Sequence, residues 1–398
     1  MDTAAPTIPR PLTALSTSDD QWRAAVRDFA EQEVRPLVAD MDRSGRLDAT
    51  LAKKLFQAGL MGVEIPHRYG GAGRDLFSVV LAIEELARVD PAVAVFVDVQ
   101  NALVASAVLR HGNGDQKRRY LPRLATGTVG AYAISETQAG SDAFALSTRA
   151  VPDAGGYRLT GQKRWTTSAA EAGLILVFAR VLDGGSERGA LTAFLVDRDS
   201  PGLTVADRVD KLGIRASSTC DVHFDGVPVP AHNVIGGVGG GDLLAMRTLN
   251  VGKLGIAAQL VGLARGALDA ALSYAQERSQ FGEPIAAFQG VQFPLARLAA
   301  ELEAARVLLY NAVRVMTHGT AAEQLAATAM AKYLASEVAE RAAAQAVETL
   351  GGNGFTTAYP VEKLYRDAKV GKIYEGTTNM QFRTIASVLL GAAGERPW

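Results

Sequence analysis

The chain has 398 residues, 41 Lys plus Arg against 42 Asp plus Glu, a formal charge of −1, and 48% hydrophobic against 21% charged residues, a globular composition with enough length for two or three domains. The near-neutral balance removes the electrostatic footprint of nucleic-acid binding, and the one basic run, Lys117-Arg118-Arg119, has Asp115 beside it and reads as a solvated helix start. A single cysteine, Cys220, excludes an internal disulfide and a cysteine-based zinc site, so cytoplasm is the expected compartment.

Residues 1–11 carry Pro6, Pro9, Arg10 and Pro11 but no apolar core of signal-peptide length, and no later window reads as membrane-spanning. Neither export nor membrane insertion is expected. From Ser18 to about Thr126 the pattern is helical. Ser18-Asp19-Asp20-Gln21 predicts a capping box, and Trp22, Val26 and Phe29 repeat on one helix face. Pro36 predicts a kink, and helices are expected over Ala49–Leu60, Leu76–Arg88 and Ala92–Leu109, parted by 66–71 and by Asp90-Pro91.

Between about Val129 and Val234 the period shortens. Strands are expected at Ala131–Ser135, Tyr157–Thr167, Leu174–Val181, Ala190–Asp197 and Val222–Val229, with turns at Asp153-Ala154-Gly155-Gly156, Asp183-Gly184-Gly185 and Pro201-Gly202. No long helices alternate with them, which favours an antiparallel barrel or sandwich. After the glycine-rich hinge 236–241, long helices are predicted at Asp242–Gln276 and Ala321–Thr349. Between them Leu295, Leu298, Leu302, Ala305, Leu309, Ala312 and Met316 form a seam, read as a four-helix bundle face or a subunit contact.

Five histidines are scattered without HExxH spacing, so no metal site is expected; the glycine run lacks GxGxxG phasing, and neither GxSxG nor a P-loop occurs. Four polar, glycine-rich clusters remain unexplained by packing: 132–142 (Tyr132 to Asp142), Arg164-Trp165-Thr166-Thr167-Ser168, Arg278-Ser279-Gln280-Phe281-Gly282, and the C-terminal pair 348–354 and 373–379. Small residues that admit a backbone, together with hydroxyls and an aromatic plane, suit a flat, polar-edged cofactor carrying phosphates. Each cluster taken alone also fits loop turns, core packing or a surface ion pair.

Together, from about Ser18 to Leu390, they resemble the acyl-CoA dehydrogenases: the first cluster resembles one family signature and Leu350 to Ile385 a second. Asp98-Val99-Gln100-Asn101, the stretch 211–220 and Tyr359-Pro360-Val361-Glu362-Lys363 resemble the short/branched-chain (2-methylacyl) subgroup. The resemblance implies an α+β fold of three domains: N-terminal α-helical (1–128), middle antiparallel β (129–238) and C-terminal four-helix bundle (239–398). It also implies a homotetramer, FAD as cofactor, and an electron-transfer flavoprotein as acceptor. Tyr132, Ser135 and Ser141 would line the flavin and pyrophosphate, Trp165 would lie against the isoalloxazine, and Thr167 would bond its N5/O4 edge. Arg278, Phe281 and Gln289, with Glu348, Gly351 and Gly352, would hold the adenosine and pyrophosphate from the adjacent subunit, while Thr377 to Asn379 close over the phosphates.

Glu375 matches the family's catalytic base for the α-proton of a thioester, with flavin N5 accepting the β-hydride. Isovaleryl-type relatives take their carboxylate from the bundle-helix position that here is Gly252, which has no side chain. Ser141, Asp242, Asn250, Lys253 and Gly376 are the expected substrate contacts, and 96–103 (Phe96 to Leu103) the expected pocket floor for an acyl group of about four to six carbons. Branched-chain relatives carry Asn-Glu-Gly-Arg where this chain has Asn250-Val251-Gly252-Lys253, and an aromatic where it has Asp242. These changes fall on the pantetheine path, so an acyl-carrier-protein thioester stands beside acyl-CoA as a second substrate reading. A non-catalytic or DNA-associated role is disfavoured by Glu375 and the charge balance, and an oxidase would carry the same motifs.

Overall fold

A computed structural model describes residues 11–182 and 189–391; Pro6, Pro9, Arg10 and the predicted turn Asp183-Gly184-Gly185 lie outside them. Seven α-helices come first: α1 (Thr17–Phe29), α2 (Val38–Ser44), α3 (Ala49–Gln57), α4 (Leu76–Ala87), α5 (Pro91–Asp98), α6 (Ser106–His111) and α7 (Gly114–Thr126). Ser16, not Ser18, caps α1. Its Oγ accepts from the Asp19 amide at 3.1 Å while the Asp19 carboxylate accepts from the Ser16 amide at 3.4 Å, a reciprocity for which Asp19 must stand three residues after the cap. Trp22 and Val26 are buried and Phe29 packs at the edge of the same core. Pro36 sits in a 3₁₀ turn that follows a π-helical turn, so α1 bends into α2 without ending. The basic run lies on α7, begun by an Asn113–Gln116 capping box.

Helix α5 continues through a π-helical stretch, Val99–Ala105, into α6. The whole run Pro91–His111 reaches a mean hydropathy of 1.8, and the later helix Gly241–Glu277 reaches 1.2, so two segments are long and apolar enough to cross a membrane, contrary to the sequence expectation. Both are core helices, with 94% and 83% of those windows buried in protein. Such burial needs apolar residues on every face.

The middle domain is one eight-stranded sheet, ordered β6 (Leu203–Arg208), β7 (Thr219–Pro230), β3 (Gly156–Thr167), β2 (Arg149–Asp153), β4 (Leu174–Val181), β5 (Ala190–Asp197) and β8 (Val234–Ile235), with β1 (Gly130–Ala133) pairing β4. It is mixed, not purely antiparallel: β1 and β2 both run parallel to β4. The apolar run of β4 fits a strand buried on both faces, which tolerates parallel neighbours. Strands β2, β6 and β8 are short or polar and escape the alternation test.

The C-terminal domain holds α8 (Gly241–Glu277), the hairpin β9 (Ser279–Gln280) and β10 (Glu283–Pro284), then α9 (Gln289–His318), α10 (Ala321–Leu350), α11 (Val361–Ala368) and α12 (Thr378–Leu389). The glycine run is a packed turn as well as a link, because a Cβ at Gly241 would meet the Leu191 carbonyl at 2.7 Å. Leu295, Leu298, Leu302, Ala305, Leu309 and Ala312 of α9 are buried within the chain's own core, with Met316 at its margin. That seam is consumed by α8 and α10, so it offers no face to another subunit.

Candidate active site

The turn between α11 and α12 carries Glu375 in a left-handed conformation, φ 52°, followed by Gly376 at φ 87°. A non-glycine residue in that region costs about 1–3 kcal/mol and persists only where its surroundings hold it. The turn is half-buried, and one oxygen of the carboxylate, Oε2, is buried without a hydrogen-bond partner. Beside it the bundle helix α8 supplies no side chain, and a Cβ on Gly252 would stand 3.0 Å from Oε2 and 2.8 Å from Leu103 Cδ2.

Burial pushes the Glu375 carboxyl up to about 7, against the pull of Lys253 and Lys332. Lys253 is buried on α8 and donates to Asn250 Oδ1 at 3.1 Å; Lys332 is buried on α10 and donates to the Gly376 carbonyl at 2.7 Å. Burial brings each lysine down to about 8. Asp98, at the end of α5, is fully buried with both carboxylate oxygens unpartnered. Burial first, and the Glu375 charge second, push it well above the usual carboxylate range. Lys332 and the placement of Asp98 escaped the sequence reading. For the lysine a signal existed: it shares a buried face with Thr328, Ala329, Ala335, Ser336 and Ala339.

Tyr132 closes the site from β1, its hydroxyl 3.1 Å from Thr248 Oγ1 on α8. The next residues of that cluster are tied down by Glu136, whose buried carboxylate accepts from Lys163 Nζ at 2.8 Å and from the Ser147 and Thr148 amides at 2.6 and 2.9 Å. Ser135 is half-buried, with its carbonyl accepting from the Arg164 amide at 2.8 Å, and Ser141 is exposed. In β3 the register with β7 slips between Lys163 and Thr166, and Trp165, at φ 58°, turns outward there, 53% exposed, under the Arg164 guanidinium. Thr167 is half-buried beside it, while Thr166 Oγ1 and Ser168 Oγ are buried without partners.

A second group gathers elsewhere. Arg278 ends α8, 26 residues beyond Gly252, about 39 Å along a helix. Phe281, at the hairpin tip, is 96% exposed. Asn353, beside Gly351 and Gly352, donates to the Tyr274 hydroxyl at 2.8 Å, one turn before Arg278. Gln289 opens α9 and is exposed, as is Glu348 near the end of α10. Thr377 caps α12, with Asn379 exposed in its first turn. Asp242 is exposed at the start of α8, eleven residues and about 16 Å from Lys253. Within 96–103, Leu103 faces Gly252, whereas Gln100 and Asn101 are spent on the backbone carbonyls of Leu124 and Leu60.

Three domain signatures match in order: acyl-CoA dehydrogenase N-terminal domain at 16–128, middle domain at 131–227 and C-terminal domain at 239–390. The chain belongs to the acyl-CoA dehydrogenase family. It is 47% identical over 382 residues to a probable short/branched chain specific acyl-CoA dehydrogenase of Dictyostelium discoideum, covering 96% of this chain and 92% of that one. Among solved structures, butyryl-CoA dehydrogenase from Megasphaera elsdenii matches with a TM-score of 0.91 at 36% identity, over 95% of this chain and 99% of that one. The prolyl acyl carrier protein oxidase AnaB matches with 0.89 at 29%, over 94% and 100%.

Acyl-CoA dehydrogenases are FAD-dependent oxidoreductases. The residues here fit such a group: an outward indole, two buried hydroxyls without partners beside it, and open space over Gly351 and Gly352, where a Cβ would meet nothing within 4 Å.

Proposed function

We propose that this acyl-CoA dehydrogenase converts a short or short branched-chain acyl-CoA to the 2-enoyl thioester, with Glu375 as the base. The observation that carries the reading is the Glu375 carboxylate, whose Oε2 is buried against Gly252 without a hydrogen-bond partner. Burial makes it a strong enough base to take an α-proton near neutral pH, and two lysines keep it ionisable there. The Glu375 amide would hold the thioester carbonyl and so acidify the α-carbon. The short acyl preference is supported by the similarity to short/branched chain specific acyl-CoA dehydrogenases.

Bound FAD would accept the β-hydride. Tyr132, Ser135, Ser141, Trp165 and Thr167 would hold its flavin end; Thr377 and Asn379 would close over its phosphates. Arg278 ends α8 about 39 Å from Gly252, too far to serve the same flavin, so Arg278, with Phe281, Gln289, Glu348, Gly351 and Gly352, would reach the adenosine half in a neighbouring subunit. That division, in place of the α9 seam, supports association of at least two chains, and the proposed assembly is a homotetramer. An electron-transfer flavoprotein is the proposed acceptor and cytoplasm the proposed location.

Substrate contacts are assigned to Asn250, Lys253 and Gly376 near the base, with Ser141 and Asp242 on the exposed approach. A carrier-protein thioester is the weaker reading, supported by the similarity to the prolyl acyl carrier protein oxidase and by the altered residues 250–253. Steady-state turnover with a dye acceptor separates the two. Short branched acyl-CoAs are expected to turn over efficiently and palmitoyl-CoA poorly; slow reaction with every acyl-CoA beside fast reaction of the same acyl group on a carrier would favour the second reading.

A further inference from the structure

Lys332 is fully buried in the middle of α10, on a face of small residues, Thr328, Ala329, Ala335, Ser336 and Ala339, that leaves depth for a long side chain. Among the described residues no carboxylate lies within ion-pair distance of it. Its ammonium instead ends on one acceptor, the Gly376 carbonyl at 2.7 Å. A buried ammonium with a single neutral partner is expensive unless a charge nearby offsets it.

The same carbonyl accepts from Gln381 Nε2 at 2.8 Å, and Gln381 also reaches the Glu375 carbonyl at 3.1 Å. Both peptide oxygens of the left-handed turn are thus gripped from behind, Gly376 by two donors from two helices. We propose that Lys332 is a positioning residue for the dehydrogenation: seated on the Gly376 carbonyl, it holds the strained turn that aims the Glu375 carboxylate and presents a positive charge to it. This rests on the reading of Glu375 as the base.

The groups facing Glu375 are Lys253 from α8, Lys332 from α10, Asp98 from the end of α5, Tyr132 from β1 and Tyr374 beside it in the chain. Burial pushes Tyr132, Tyr374 and Asp98 each up, toward the uncharged form. The two lysines are therefore the charges that set how readily the base ionises. Removing one disfavours the carboxylate, so the pH at which activity appears must rise.

The test uses flavin-loaded holoenzyme and a short acyl-CoA, with kcat and KM measured across about pH 5 to 9. Lys332→Met is expected to lower kcat at least about 10-fold by releasing the turn, and to move the acid limb of kcat/KM up by about one pH unit. Lys332→Gln keeps a donor for Gly376 without the charge, so it should retain most of the high-pH kcat and still show the shifted limb. Lys332→Arg should return the limb to within a few tenths of the wild-type position. An unmoved limb in both Lys332→Met and Lys332→Gln, whatever happens to melting temperature, would reduce Lys332 to a packing residue and overturn the proposal. Glu375→Gln is run beside them: near-native turnover in that variant would instead sink the base assignment, a failure distinct from an unmoved limb.

Discussion

The Cβ that Gly252 lacks would lie 3.0 Å from Oε2 of Glu375, so the backbone of α8 is the wall against which the base rests. The helix and the turn share a single volume that a second carboxylate could not enter without displacing the first. Gly252→Ala forces Glu375 and the tip of Leu103 to give way. Both are ends of side chains, so the fold survives while the base shifts. We expect kcat to drop about 10-fold or more with the melting temperature nearly unchanged, since sub-ångström placement governs proton abstraction.

Asp98 answers to pH through stability. Its folded pKa lies above the unfolded value, so its contribution is intact at acid pH and is lost as pH rises from the unfolded value toward the folded one. Each unit of separation is about 1.4 kcal/mol at full titration. Asp98→Asn, which cannot ionise, should therefore melt higher than wild type by a margin that widens as pH rises above the ordinary carboxylate range toward the raised folded value. A constant or shrinking margin would mean that Asp98 is paired when folded.

Much of this was readable in the chain because the signals are local. Pro36, the apolar run of Leu174–Val181 and the turn-prone glycines 236–241 announce a bend, a buried strand and an interdomain link through neighbouring residues. What stayed hidden is what depends on partners distant in sequence. The small-residue face that Lys332 shares on α10 marks it as able to be buried, but its partner, the Gly376 carbonyl, lies 44 residues on and no local pattern points to it. Strand β1 pairs parallel with β4, although forty-odd residues separate them, and no local periodicity encodes that. The α9 seam was legible as a seam, but its pattern is identical whether α8 and α10 or a second subunit fills it.

Lys363 joins the three domains. It donates to Asp90 Oδ1 at 2.9 Å and to Asp367 Oδ2 at 2.5 Å, while Asp367 Oδ1 accepts from the Ile214 amide. All three charged groups are buried. Lys363→Met strands two carboxyls and should destabilise the protein by about 3–5 kcal/mol in urea unfolding. A change below about 1 kcal/mol would show the network to be dispensable.

The flavin reading predicts yellow protein with one FAD per subunit. Arg278→Ala should lose flavin more readily on dilution or gel filtration, because a guanidinium–phosphate contact is removed. Light scattering should return more than one chain per particle, since Arg278 and Gly252 stand about 39 Å apart on one helix, and four if the assembly is the proposed homotetramer. A monomer that keeps its flavin would contradict the division of the cofactor site between subunits.

The central claim is that Glu375 takes the α-proton, and single-turnover flavin reduction on mixing with a short branched acyl-CoA tests it without regard to the electron acceptor. Glu375→Gln preserves the shape of the turn and the contact with Gly252 but cannot accept the proton. Flavin content and substrate binding are expected to stay normal, with reduction slowed at least about 10²-fold. Reduction at the wild-type rate in that variant would contradict that role for Glu375 and move the base to another residue.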